Sequence, residues 1–292
     1  MTDPTRASAP TSAGVLIMPT NFAVMGEAFA RAAVAAAQAP DIAESTVASD
    51  VTSVSVSFLT DREPLEAMLP PGKGLSIHGP PVVTVSAVYQ GGLAWLAGRG
   101  YNLILVALPV VHEGQNGRTV GGFLPVVWEN MAEPILVGRE TLGWPKIFAD
   151  LPPVRRLNDS AECLAAWRGF TFAELNVTGL RALTPEQLSA RAASGPASAG
   201  MICHKFILRT GSWTETDADY LTLSGSDGAK TPVVKDVLTG KASIRFNKGD
   251  WDRLPTMTHI VGRLADLEIK AVYDATVVSQ TGGSMGATRI LE

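Results

Sequence analysis

Residues 51–58 read Val-Thr-Ser-Val-Ser-Val-Ser-Phe, with apolar side chains at mostly alternate positions. A period of two is the pattern of a strand with one face packed and one face polar. Apolar strand-like runs recur along the chain. Residues 82–89 read as a strand, and 103–111 form a longer apolar run suited to a buried one. Gly114-Gln115-Asn116-Gly117 supplies a turn that makes a hairpin with 118–128. Segments 161–175, 201–209, 242–247 and 268–279 also read as strands, and the last residues as a short one. Helical signals are few. Residues 61–69 read as a short helix capped by Thr60 or Asp61 and stopped by Pro70-Pro71-Gly72. Thr184-Pro185-Glu186-Gln187 reads as a helix start, with a threonine cap and a proline in the first turn. Residues 211–234, containing Thr-Glu-Thr-Asp-Ala-Asp, read as a surface loop. Strands without regular intervening helices argue against a βαβ sheet. The fold class expected is α+β, mostly antiparallel β, with a closed or partly closed barrel or cone and peripheral helices.

The chain has 292 residues, 46% hydrophobic and 18% charged, enough for a substantial core. We divide it into an N-terminal tail and helix, residues 1–45, and a β-barrel domain, 46–292. The helix is read at 22–38, in an alanine-rich stretch that Glu27 and Arg31 interrupt, so a membrane span is not expected. A net charge of −4 and the lack of a basic run interleaved with aromatics give no case for nucleic acid. No signal peptide is indicated, and a cytoplasmic location is expected. Cys163 and Cys203 lie far apart and read as buried small hydrophobes rather than a disulfide. The four histidines are isolated, and no metal site is expected. Gly91-Gly92, Gly98-Arg99-Gly100 and Gly282-Gly283-Ser284 lack the order of a dinucleotide or phosphate loop, so no cofactor is expected.

The chemistry points to one lysine. Residues 143–146 read Gly-Trp-Pro-Lys, and Lys146 is followed by Ile147 and Phe148. Lysine is rarely buried without a partner. Among apolar groups its ammonium form is desolvated, its pKa falls, and it becomes a nucleophilic amine. Moving a lysine from about 10.4 to about 7 takes roughly 4–5 kcal/mol, which burial can supply. An ordinary loop lysine with its head in water is the plainer alternative. We read Ile135-Leu136-Val137 as a strand feeding the Gly-Trp-Pro turn.

The run from Glu133 to Lys146, Glu-Pro-Ile-Leu-Val-Gly-Arg-Glu-x-x-Gly-Trp-Pro-Lys, resembles the signature of the acetoacetate decarboxylase-like superfamily. Weaker similarities lie around Thr60-Asp61, Tyr101 to Val110, Lys205-Phe206-Ile207 and His259 to Lys270, so the resemblance covers about residues 50–285. It implies a barrel with the lysine pointing into an apolar interior, a Schiff base with an oxo acid, and a homo-oligomer. Departures limit what carries over. The decarboxylase has two consecutive lysines, and here Ile147 follows Lys146. The place of its glutamate falls at Leu103, and its N-terminal arginine has no counterpart in Ser49-Asp50-Val51. These losses argue against acetoacetate decarboxylation.

Other members of the superfamily resemble aldolase-dehydratases that join pyruvate to an aldehyde, with a C-terminal tyrosine or glutamate as acid/base. Tyr273 lies near that place. The catalytic candidates are therefore Lys146, Tyr273 and Glu140, and the substrate-binding candidates are Tyr101, Trp144 and Arg139. A structural clamp is the plainer role for Arg139 and Glu140. The expected activity is a Schiff-base carbon–carbon lyase acting on an oxo acid or other small carbonyl compound, by aldol, dehydration or retro-aldol chemistry or by decarboxylation of a 3-oxo acid. The alternative is non-catalytic binding of a hydrophobic small molecule in the barrel pocket.

Overall fold

The computed structural model of the chain describes residues 47–194, 198–225, 227 and 229–291. The expected helix at 22–38 and nearly all of the 1–45 segment lie outside them. The strands, in chain order, are β1 (Asp50–Leu59), β2 (Leu75–Ile77), β3 (Val82–Leu93), β4 (Arg99–Gly114), β5 (Gly117–Glu129), β6 (Lys146–Phe148) and β7 (Arg155–Leu157). They continue as β8 (Ser160–Trp167), β9 (Phe170–Ala182), β10 (Gly200–Leu208), β11 (Thr216–Gly225), β12 (Val233–Phe246), β13 (Ala271–Thr281) and β14 (Thr288–Leu291). Among the described residues four short α-helices accompany them: α1 (Arg62–Glu66), α2 (Ala132–Val137), α3 (Pro185–Ser194) and α4 (Thr258–Ala265).

All the strands belong to one sheet, ordered β14-β11-β10-β5-β4-β3-β1-β13-β12-β9-β8-β7, with β2 on β4 and β6 on β5. Pairing is antiparallel except for β10 and β6, which both run parallel to β5. The mostly antiparallel expectation holds. The sheet is not closed by hydrogen bonds, which end at β14 on one side and β7 on the other.

Alternation along the strands decides what lies where. Val54, Val56, Val85, Ala87, Ile104, Val106 and Trp128 point to one face and join the main core, where Phe172, Leu175, Leu254 and Met257 meet them. The Trp128 indole donates to Met257 Sδ at 3.3 Å, and its ring lies 5.1 Å from Phe172. From the opposite face of β4, β5 and β10 come Leu103, Leu124, Val127 and Cys203, a second and smaller cluster against which Tyr101, Leu105, Trp144 and Met201 pack. Both cysteines are buried and unpaired, as expected.

Local signals read from sequence recur in the structure. Thr184 and Gln187 form a reciprocal cap at α3, with Gln187 N donating to Thr184 Oγ1 at 3.3 Å and Thr184 N donating to Gln187 Oε1 at 3.0 Å. The Gly114–Gly117 turn closes the β4–β5 hairpin. Three expectations need correction. Residues 161–175 are not one strand but parts of two, β8 and β9, which pair antiparallel across a turn at Arg168-Gly169. Residues 135–137 are helical, the end of α2, not a strand. Pro134 sits in the first turn, where its missing N–H costs nothing, and a three-residue apolar run does not by itself distinguish helix from strand. Residues 211–234 are not a single loop, because β11 runs through them, with Asp217 and Asp219 to solvent and Ala218 and Leu221 buried.

Candidate functional site

Lys146 opens β6 beside Val127 of β5, so its side chain enters the smaller cluster. A tight sequence of backbone contacts sets it there. After α2 the chain makes a π-helical turn, Gly138–Leu142, and reverses at Gly143, whose φ of +74° favours glycine. A Cβ on Gly143 would also lie 2.8 Å from Lys205 Cβ. Trp144 N donates to Gly138 O at 3.0 Å, and Arg139 Nη1 donates to Lys146 O at 3.1 Å. Thr222 Oγ1 donates to Leu142 O at 2.8 Å, and Lys205 Nζ to Glu140 O at 2.7 Å. The turn is thus tied to β10 and β11 by side chains reaching its carbonyls.

The Lys146 side chain is buried, 6% exposed. Its Nζ lies 2.8 Å from Glu129 Oε1 and donates to Pro134 O of α2 at 3.1 Å. The Trp144 ring centre is 5.4 Å away and that of Tyr101 is 6.0 Å away, within the reach of a cation–π contact. Glu129 is wholly buried. The contact with Nζ is an ion-pair distance off the hydrogen-bonding direction, and neither carboxylate oxygen has a directed hydrogen bond. Burial pushes the Glu129 carboxyl up from its ordinary range, and Lys146 pulls it partly back. Burial also raises the Tyr101 phenol, the charge of Glu129 adds to that, and a hydrogen bond with Gln90 opposes it. Tyr101 therefore keeps its proton and can donate it. Burial likewise raises the Cys203 thiol well above its usual range, against the pull of Lys146.

Gly138 has a direct part in this geometry. A Cβ there would lie 2.4 Å from both Cδ and Cε of Lys146 and 2.8 Å from Nζ. The bare backbone of the π-turn is the floor on which the lysine stem rests.

The structure thus brings together Lys146, Trp144 and Tyr101. It leaves two other expected residues apart. Tyr273 is 66% exposed on β13. It falls at a bulge, because Ser57 faces Asp274 and Phe58 faces Val272 across the β1–β13 pair. Glu140 is exposed on the π-turn, and its backbone carbonyl, not its carboxylate, is the group engaged. Arg139 clamps the Lys146 carbonyl. The residue that sequence reasoning missed is Glu129. It stands directly across from Leu103 on the neighbouring strand. An acid does therefore reach the lysine, from one strand over.

The site face continues away from the lysine in registered rows. One row runs Lys146, Val127, Leu105, Ser86, Ser55, Thr276, and a second runs Glu129, Leu103, Val88, Ser53, Val278. A third runs Ala107, Thr84, Ser57, Asp274.

A mostly antiparallel sheet holding a buried lysine after a Gly-x-Pro turn, with a carboxylate beside it, defines a class of lysine-centred β proteins. The sequence model of the family described as Acetoacetate decarboxylase (ADC) matches residues 32–291, and the chain belongs to that family. No curated protein matches it. Among solved structures, it is similar to the acetoacetate decarboxylase of Legionella pneumophila, at 17% identity and a TM-score of 0.64 over 84% of this chain and 86% of that one. It is also similar to an acetoacetate decarboxylase-like enzyme from Sphingomonas wittichii RW1, at 20% identity and a TM-score of 0.63 over 83% and 91%. A third is the enduracididine biosynthesis enzyme MppR, solved with pyruvate, at 17% identity and a TM-score of 0.60 over 83% and 89%. At these identities the likeness is one of fold.

Proposed function

We propose that the protein is a carbon–carbon lyase that forms a Schiff base through Lys146 and carries out aldol or retro-aldol chemistry on a small carbonyl compound. The observation that carries this reading is the buried Lys146 amine, 2.8 Å from the wholly buried Glu129 carboxylate in an otherwise apolar cluster. Two opposite charges in such surroundings pay a desolvation cost that a purely structural pair seldom recovers. Perturbed, buried pairs of this kind gather at functional sites.

The steps follow from the groups at hand. Glu129, whose acid form burial favours, takes the proton of Lys146 and leaves a neutral amine. The nitrogen lone pair bonds to the carbonyl carbon. The resulting carbinolamine loses its hydroxyl as water, with the proton returned by Glu129, and an iminium remains. In the cleavage direction a base removes the proton of a β-hydroxyl and the Cα–Cβ bond breaks. Its electron pair flows into the iminium, and an aldehyde leaves. The enamine then takes a proton at carbon, and water releases the ketone. Glu129 serves as the base, and Tyr101 can hold the departing oxygen by its hydroxyl. Pyruvate bound to MppR and the decarboxylases of the same fold support carbonyl chemistry in general, and Glu129 places an anion, not a second cation, beside Lys146.

Borohydride reduction in the presence of a methyl ketone, followed by the mass of the intact protein, tests the reading. A single adduct is expected, absent in Lys146→Ala. Without an adduct, or with one that survives the substitution, the lyase fails and a non-catalytic binding protein takes its place.

A further inference from the structure

Side chains of β11 alternate between two tasks. Leu221 and Leu223 enter the main core. Thr222 and Ser224 point the other way and are buried, 4% and 3% exposed. Buried hydroxyls need partners, and both find them in the turn that carries Lys146. Thr222 Oγ1 donates to Leu142 O at 2.8 Å, a tie to the backbone. Ser224 holds a side chain instead: Trp144 Nε1 donates to its Oγ at 3.0 Å. Ser224 is in register with Thr288 of β14, and their two hydroxyl oxygens lie 2.9 Å apart. A relay of three side chains thus runs from the edge strand β14 through β11 to a ring that faces the amine.

That ring lies nearer Nζ than Tyr101 does, with its centre at 5.4 Å against 6.0 Å. An aromatic face at such a distance attracts a cation. An indole has one polar group, a donor with no acceptor capacity, so the acceptor it finds fixes the rotation of the whole ring. Trp144 is half-buried. Without the Ser224 oxygen its N–H would be satisfied by water, and the ring would turn away from the lysine to reach it. The attraction matters at one stage above all. The attacking amine is neutral, whereas the iminium that follows carries its positive charge beneath the ring.

We propose that Ser224 and Thr288 are positioning residues of the Lys146 site, an inference that rests on the Schiff-base reading. Ser224 holds the Trp144 face over the nitrogen, and Thr288 holds the Ser224 hydroxyl. Both act through the ring, and neither touches the substrate. The iminium gains the attraction of the indole face, which the neutral amine before it does not. Through one hydroxyl, the edge strand β14 therefore bears on chemistry at the start of β6.

Borohydride trapping with acetone, followed by intact-protein mass over a range of acetone concentrations, tests it. Ser224→Ala should lower the trapping rate at saturation about tenfold and Thr288→Val about threefold, the range of one cation–π contact or one neutral hydrogen bond. The half-saturating acetone concentration should stay within about twofold, because binding precedes the charge that the ring senses. Thr288→Ser, which keeps the hydroxyl, should recover most of the loss. In a Trp144→Phe chain, whose ring has no N–H, Ser224→Ala should lower the rate no further. Unchanged trapping in Ser224→Ala or in Thr288→Val overturns the proposal and leaves the Schiff base standing. So does a full further loss in the Trp144→Phe background, or a Thr288→Ser variant as slow as Thr288→Val. The hydroxyls would then only join β11 to β14. If Ser224→Ala does not fold, the two Thr288 variants decide by the same criterion. A native chain that gives no acetone adduct on Lys146 overturns both readings.

Discussion

Trp128 and Glu129 are consecutive on β5, both fully buried, and they face opposite sides of the sheet. Trp128 meets Phe172 and Met257 in a core shared by most of the strands. Glu129 enters a small cluster built on four buried side chains, with a charge that finds Lys146. The core face gains stability from the apolar groups it buries. The site face holds two groups that water would solvate better. One strand, by alternation alone, therefore serves stability on one side and chemistry on the other.

The largest effect expected from this contrast is on the core side. Trp128→Ala should lower unfolding free energy by about 3–5 kcal/mol, because the aromatic volume is lost where neighbours cannot fully close in. Urea denaturation measures it. On the other face the sign should reverse. The double variant Lys146→Met, Glu129→Leu replaces the buried pair with apolar side chains, and such replacements are neutral or stabilising by about 1–4 kcal/mol. The same variant should form no borohydride adduct. A double variant that loses several kcal/mol would show that the pair is a structural prop, and the contrast between the faces would dissolve.

How much of this was legible in the sequence follows from the same alternation. The strand at 51–58, the Gly114–Gly117 hairpin and the Thr184–Gln187 cap are local patterns, and they were read directly. Lys146 stood out because its flanking residues are apolar. Glu129 did not, because its role depends on register. Only pairing across β4 and β5 sets it opposite Leu103, and only the parallel pairing of β6 brings Lys146 beside Val127. The parity of Val127 and Glu129 on an apolar strand was the available signal. Tyr273 failed for a related reason: a bulge between β1 and β13 leaves it without a partner across the pair, and no sequence pattern announced it.

Gly138 sharpens the comparison at a smaller scale. Its hydrogen is all that separates the π-turn from the lysine stem. Gly138→Ala should cost about 1–3 kcal/mol from overpacking. Since the stem can swing but the carboxylate cannot follow, the amine should leave Glu129. Trapping should fall about tenfold, while the core beneath Trp128 is untouched. An alanine variant that traps at the native rate would mean that the lysine position does not depend on that close approach.

The smallest effect is a matter of pH, and it belongs to the core side of β4. His112 continues the parity of Ile104, Val106, Leu108 and Val110. It is buried, its Nδ1 has no partner, and burial lowers its pKa, with Glu113 opposing. The folded chain thus prefers the neutral imidazole. Near pH 6.5 and below, the unfolded chain takes up the proton first, so stability is greatest above that pH and falls as pH drops toward the lowered folded value. The slope cannot exceed about 1.36 kcal/mol per pH unit for one group. His112→Gln should flatten the dependence of the urea midpoint on pH below about 6.5. The site face bears on a different stretch of the curve. The raised Glu129 carboxyl holds its proton longer folded than unfolded, so its contribution declines as pH rises above the ordinary carboxylate value near 4.5. Because the two groups shift stability in opposite directions as pH rises, a curve that changes in the same direction for His112→Gln and for the Lys146→Met, Glu129→Leu double variant would show that the two faces do not titrate independently.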